Sequence, residues 1–317
     1  MGKYLSVIVL LLLASVSSAK NTLSEYQRTF TPVYTADGKL MIALRVMKMN
    51  EIPSFLAVDP ESLQTKVLPI AQLKSRNIQK IGKDGTLSSW SIASTRYYQL
   101  LNKSTAAPYL LENQGVRHAS HAGEGVLLTI DLCPSAKPFE AEFFNKLVQL
   151  AEKNKKPTPV TIAISGLWLL EHPDEFQWLL IQEKEKKLDI TWANHSFSHV
   201  YYADSPFSQN FLLIPETNIE TEILLTEKYL LEAGEMPSVF FRFPGLVSSK
   251  SLMNTIKLYG LIPLGTDAWM AHLQTRHEEI TPGGIILVHG NSNEHEGIVV
   301  VMSLLDELKL LDIRQSI

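Results

Sequence analysis

The residues able to do chemistry fall in five short segments between residues 129 and 289. The run Asn194-His195-Ser196-Phe197-Ser198-His199 sets two imidazoles four positions apart. On a helical turn, side chains at that spacing share a face and can grip one cation. A hydrogen-bonded loop pair has the same spacing. Asp131 follows the apolar run Gly125-Val126-Leu127-Leu128-Thr129-Ile130. A carboxylate just past such a strand is costly to bury without a partner, and Arg242 is a natural one. Beside a cation, Asp131 stays ionised and can take a proton from water; an aspartate that caps the following turn is the competing reading. His289 closes Leu287-Val288-His289, ahead of Gly290-Asn291. An imidazole there can protonate a leaving amine or sit as a hydrogen-bonded core histidine. Trp269, in Asp267-Ala268-Trp269, offers an apolar wall for a sugar or acetyl group, a use that a core position also allows. Weaker candidates are His118 and His121, read as loop residues. Glu294, His295 and Glu296 suit the positive end of a helix, and Glu183–Lys187 reads as a solvated helix face.

Each segment follows a predicted strand. Apolar runs place strands at 125–130, 159–165, 188–193, 239–242, 261–265 and 284–288, and helical spacing places helices near 138–153, 173–183, 217–233 and 297–311. Repeated strand-then-helix units imply a parallel α/β fold with right-handed crossovers. In such barrels the carboxyl ends of the strands share one face, where active sites are built. Chance could put one or two reactive residues there; five segments doing so is harder to attribute to chance.

The 317 residues suffice for one α/β domain of about 200 residues and a smaller appendage. The net charge of −4, without any Lys/Arg block, argues against nucleic acid as a partner. Met1-Gly2-Lys3, the apolar run at 6–13 and the small residues up to Ala19 have the layout of a secretory signal peptide, 1–19. Its apolar core is too short to span a bilayer of about 30 Å comfortably, and no later segment reads as a membrane span. An exported protein, periplasmic or secreted, follows. The single cysteine, Cys133, allows no internal disulfide. Residues 20–115 carry short β-favouring runs at 31–34, 40–47 and 55–58 divided by turn signals, and read as a small β-rich module or wrapped extension. Residues 116–317 form the site-bearing domain.

Taken in order, these motifs resemble the polysaccharide deacetylases, carbohydrate esterase family four, over about residues 123–312. The family's Thr-Phe-Asp-Asp-Gly-Pro corresponds to Thr129-Ile130-Asp131-Leu132-Cys133-Pro134. Its histidine motif corresponds to His195–His199, its Arg-x-Pro to Arg242-Phe243-Pro244, and its Leu-x-His to Leu287-Val288-His289. Its Asp/Trp motif is met loosely by Asp267-Ala268-Trp269. The resemblance implies a distorted (β/α) barrel with fewer than eight strands. It implies hydrolysis of N-acetyl groups on an envelope or extracellular polysaccharide of N-acetylglucosamine type. It also implies a divalent cation, commonly zinc, held by His195, His199 and Asp131. Asp131 would then be the base, His289 the acid, Arg242 the group orienting Asp131, and Trp269, Pro244 and Asp267 the substrate contacts. The departure is Leu132, which stands where the family has a second, metal-binding aspartate. Three consequences are open. Asp131 ligates the ion itself, Cys133 supplies a thiolate from the same side of the extended chain, or the cation is lost and the protein binds glycans without cleaving them.

Overall fold

The computed structural model describes residues 20–74, 90–120, 123–270 and 279–317; residues 1–19, expected to be a signal peptide, and His121 lie outside them. Two sheets organise the described chain. The first is an antiparallel meander of β1 (Leu23–Tyr34), β2 (Leu40–Met49), β3 (Ile52–Val58) and β4 (Thr65–Pro69) in sequential order. Its strands are longer than the β-favouring runs, and β1 shifts register against β2 between Ser24 and Gln27 and between Arg28 and Thr31, where exposed polar residues break the apolar pattern. The second is a seven-stranded parallel sheet. It contains β5 (Leu127–Leu132), β6 (Thr158–Ile164), β7 (Leu188–Asn194), β8 (Pro237–Arg242), β9 (Ile262–Leu264), β10 (Ala268–Trp269) and β11 (Ile285–His289), in the order β10-β11-β5-β6-β7-β8-β9. The sheet curls into an incomplete barrel, because one stretch of chain bonds to both of its sides. Val116 exchanges backbone hydrogen bonds with Pro263 of β9 and Gly265 just after it, and the Arg117 carbonyl accepts from Ile285 of β11.

Side-chain alternation divides the parallel strands into two faces. Leu128, Ile130 and Leu132 of β5 point outward into a core shared with Phe143, Phe144 and Leu147 of the helix Ala141–Asn154. Leu127, Thr129 and Asp131 therefore point into the barrel. There Ala163 and Ala193 are small, and Ile42, Leu44, Val58 and Leu63 of the first sheet, with Tyr97 and Leu101 of the helix Arg96–Ser104, join the same cluster. The first sheet thus closes the amino end of the barrel. A buried, bidentate pair of Arg45 with Glu227 anchors it to the helix Ile219–Glu232.

The sequence placed most elements within a few residues, and the differences have local causes. The helix Ile219–Glu232 starts where the Asn218 side chain accepts a hydrogen bond from the Thr221 amide. The last long helix runs His295–Leu304 rather than 297–311. Lys309 and Leu311 instead exchange backbone hydrogen bonds with Val126 at the foot of β5. Asp131 lies inside β5, not after it. Among the described residues no helix is long and apolar enough to cross a membrane.

Candidate metal centre and active site

The carboxyl ends of β5, β7, β8 and β11 bring six of the singled-out residues together. His289 is in register with Asp131 across β11 and β5, and Asn194 with Phe241 across β7 and β8. Cys133 and His195 each continue one residue beyond β5 and β7, and Arg242 ends β8.

His195 is almost fully buried. Its Nδ1 bonds to the Arg242 backbone carbonyl at 2.8 Å, so that nitrogen carries the proton and Nε2 presents its lone pair. Burial holds the ring's pKa below its ordinary value, which keeps it neutral as a ligand must be. Nε2 lies 3.4 Å from Cys133 Sγ and 3.7 Å from Asp131 Oδ2. The His199 ring stands 4.8 Å from that of His195, centre to centre, and its buried Nε2 has no hydrogen-bond partner among the described residues. One ligand atom each from Cys133, His195 and His199 fall within 4.8 Å of one another.

The two histidines do not share a helical face, as the spacing suggested. They lie on a loop in which Ser196 and His199 take positive φ values of 66° and 48°. Strain of that kind persists only where the surroundings hold it. Glu222 holds this loop from below. It accepts from the Phe197 and Ser198 amides at 2.9 and 2.8 Å and from the Ser198 hydroxyl at 2.6 Å. Thr226 donates to the Ser196 carbonyl. Phe197 packs where a Cβ on Gly166 would sit, so the position requires glycine. Phe211 meets the His199 ring edge to face at 5.2 Å.

Asp131 is buried, and its Oδ1 has no hydrogen-bond partner among the described residues. Arg242 Nε lies 4.0 Å from that oxygen, an ion pair without a direct hydrogen bond. Arg242 Nη2 donates to Thr129 Oγ1 at 2.8 Å, and Thr129 donates onward to the Ile286 carbonyl. His289 pairs with Glu294 through Nδ1. Burial opposes charge on His289, but Cys133 and Glu294 raise its pKa well above the ordinary value. Burial likewise raises the Cys133 thiol, yet His199 and then His289 outweigh it and bring the thiol to about 7.

Trp269 is in register with Leu287, and its neighbour Ala268 belongs to the outer core, so its ring turns inward one layer below His289. Asp267 is not at the site. Its amide bonds to Ile285, four residues or about 13 Å below His289 along β11, and its carboxylate bonds to His118 Nδ1 at 2.6 Å. The strand direction, opposite to what a substrate contact needs, carries it to the amino end. Pro244 is buried in the turn after β8, where Gly245 packs against Phe211. It supports the wall behind His199 rather than an exposed surface. Sequence reasoning gave Glu294 to a helix terminus and passed over Glu222. Both are legible only as loops and helices that return to strand ends.

The donor set suits a divalent cation, since it offers a neutral imidazole with a fixed tautomer, a second imidazole with an unpartnered nitrogen, and a readily ionised thiol. A family model described as RP012 protein N-terminal domain matches residues 24–98, the first sheet and the start of the following helix. Solved structures similar to the chain include a family 4 carbohydrate esterase from Bacillus anthracis, at 19% identity over 71% of this chain and 93% of that one, TM-score 0.44. Bacillus subtilis PdaA, also a family 4 carbohydrate esterase, is similar at 16% identity over 63% and 82%, TM-score 0.43. A pseudoenzyme of the same family from Bacillus anthracis is similar at 14% identity over 63% and 66%, TM-score 0.41. In its ordered motifs the chain resembles the polysaccharide deacetylases, and it departs from them at Leu132.

Proposed function

We propose that the protein is a cation-dependent hydrolase that removes N-acetyl groups from an envelope or extracellular polysaccharide of N-acetylglucosamine type. The observation that carries this reading is the meeting of a carboxylate, two histidines, a thiol and a third histidine at one carboxyl edge of a parallel barrel. His195 and His199 would hold a divalent ion, zinc by the chemistry of these ligands, which would supply polarisation of the acyl oxygen and a lowered pKa for water. Asp131, buried beside Arg242, accepts the proton of the attacking water. His289, held protonated between Cys133 and Glu294, donates a proton to the departing amine nitrogen. Arg242 orients Asp131 with its guanidinium and His195 with its carbonyl. Trp269 forms the apolar floor against which an acetyl group packs. Exposed Tyr201 and Tyr202, just beyond His199, with Tyr201 stacked on Phe211, suit the apolar face of a pyranose ring.

The test is acetate release from N-acetylglucosamine oligomers and from peptidoglycan, by wild type and by the double variant His195→Ala/His199→Ala. Wild type releases acetate and the variant does not; equal release by both would sink the mechanism. Leu132 favours a second reading, a glycan-binding protein without turnover, since its side chain lies in the outer core and ligates nothing. Saturable binding of the same oligomers with no acetate release from wild type would select it.

A further inference from the structure

We propose that Cys133 is the third protein ligand of the cation, completing a Cys-His-His set with His195 and His199, and that its thiolate makes the site select zinc-like ions over magnesium, calcium or manganese. The proposal rests on the reading that this site holds a cation, and not on the reaction assigned to it.

The strand geometry removes the obvious alternative. Leu132 is fully buried among Ile130, Phe144 and their neighbours on the outer face of β5. Its Cδ2 sits 2.4 Å from where a Cβ on Gly290 would be, so it is packed tightly against the end of β11. Alternation then turns Asp131 and Cys133 inward. Of these two, Cys133 is the one that groups with both imidazoles within 4.8 Å. Bonds of about 2.3 Å to sulfur and about 2.0 Å to nitrogen at a tetrahedral angle set a sulfur-to-nitrogen separation of about 3.5 Å. The observed 3.4 Å between Cys133 Sγ and His195 Nε2 accommodates one ion with little movement. Independent support comes from groups aimed at the same place. His199 Nε2 is buried without a partner among the described residues, and His195 Nδ1 is tied to a carbonyl so that Nε2 alone is free to ligate. Asp131 keeps one oxygen toward Arg242 and remains outside the set, free to act as base. A substitution that removes the carboxylate ligand at 132 is thereby offset one residue later by a softer donor, which favours zinc and cobalt over oxygen-seeking ions.

The experiment uses the full chain stripped of metal by a chelator and reloaded with cobalt(II) or zinc(II). Expected are one equivalent of ion per chain by elemental analysis and a thiolate-to-cobalt charge-transfer band in the near ultraviolet. Cys133→Ser should lose that band and weaken zinc by more than the about 10–100-fold that removing a partner behind a ligand costs. Cys133→Asp should narrow the preference for zinc over manganese. Wild-type cobalt protein without the band, or Cys133→Ser binding zinc as tightly as wild type, would overturn the proposal. The wild-type spectrum needs no variant, so misfolding of a variant does not blunt the test. A band without acetate release removes the proposed reaction and leaves the ligand set standing; acetate release without a band does the reverse.

Discussion

Two arginines are buried to the same extent and live in opposite circumstances. Arg45, at the closed end of the barrel, has a hydrogen-bond partner for each of its three side-chain nitrogens. Nε and Nη2 reach Glu227 at 2.7 Å each, and Nη1 reaches the carbonyls of Leu44 and Tyr259 at 2.8 Å. Arg242, at the open end, makes one side-chain hydrogen bond, to Thr129, while its Nε and Nη1 have none among the described residues. Burial disfavours charge on both. At Arg45 the Glu227 carboxylate reverses this and raises the pKa, whereas at Arg242 burial prevails over the more distant Asp131 and lowers it. Fully paired buried charge fixes an architecture. Buried donors left short of partners mark a place arranged for something else to arrive. The amino end of the barrel is therefore built to be closed, and the carboxyl end keeps buried polar groups without partners among the described residues.

The comparison is most exposed to substitutions that separate activity from stability. Asp131→Asn should lower kcat/KM for acetate release by about 10²–10⁴-fold, the range for loss of a general base, with little change in melting temperature. A melt shifted as far as activity would make Asp131 a structural residue. Arg45→Met should cost about 3–5 kcal/mol in urea unfolding, because it strands the Glu227 carboxylate in the interior, and Arg45→Met/Glu227→Met should regain most of that loss. Arg242→Met should cost less stability than Arg45→Met and most of the activity. Equal stability losses would erase the distinction between the two ends. Glu294→Gln is a smaller change. It keeps a hydrogen-bonding group near His289 but removes the charge that helps hold the ring protonated, so kcat should fall about tenfold, a 1.4 kcal/mol effect. The alkaline limb of its pH profile should move to lower pH, and an unmoved limb would assign the proton elsewhere.

How far the sequence reached differs between the same two ends. Strand positions and the edge they share were legible, because buried parallel strands read as continuous apolar runs and each reactive residue closes one. The site loop was legible in its residues and not in its shape. Spacing of four suggests a helical face for His195 and His199, but the segment is a loop with positive φ at Ser196 and His199, tied by hydrogen bonds to Glu222, which is 25 residues from Phe197 in sequence. Asp267 was misplaced by a loose motif, since sequence order says nothing of which end of a two-residue strand faces the site. The closed end was barely legible. No local pattern in 20–115 announces that Ile42 and Leu44 join the barrel's interior cluster, because the other members, such as Leu127, Val239 and Ile262, lie far along the chain.

One feature of the closed end does not follow the rule of full pairing, and it supplies the mildest test. Glu183, read from sequence as part of a solvated face, lies against Glu235, and Trp192 Nε1 donates to both at 3.1 and 3.3 Å. Burial, with Glu235 second, raises the Glu183 pKa from 4.5 to about 8. The folded protein therefore keeps a proton there that the unfolded chain releases near 4.5. Between those values the folded state binds more protons, so this group's contribution is full below about 4.5 and is lost as pH rises through about 8. Glu183→Gln keeps the shape and removes the titration. Its unfolding free energy should decline less than that of wild type between about pH 5 and about pH 9, and it should be the more stable protein at the alkaline end. Acetate release at a fixed pH should be the same in both, since Glu183 sits at the amino end of β7 and the reactive groups sit at the other. If the two stability profiles ran parallel, the carboxyl pair would be solvated after all, and the closed end would have no unpaired charge to set against Arg242.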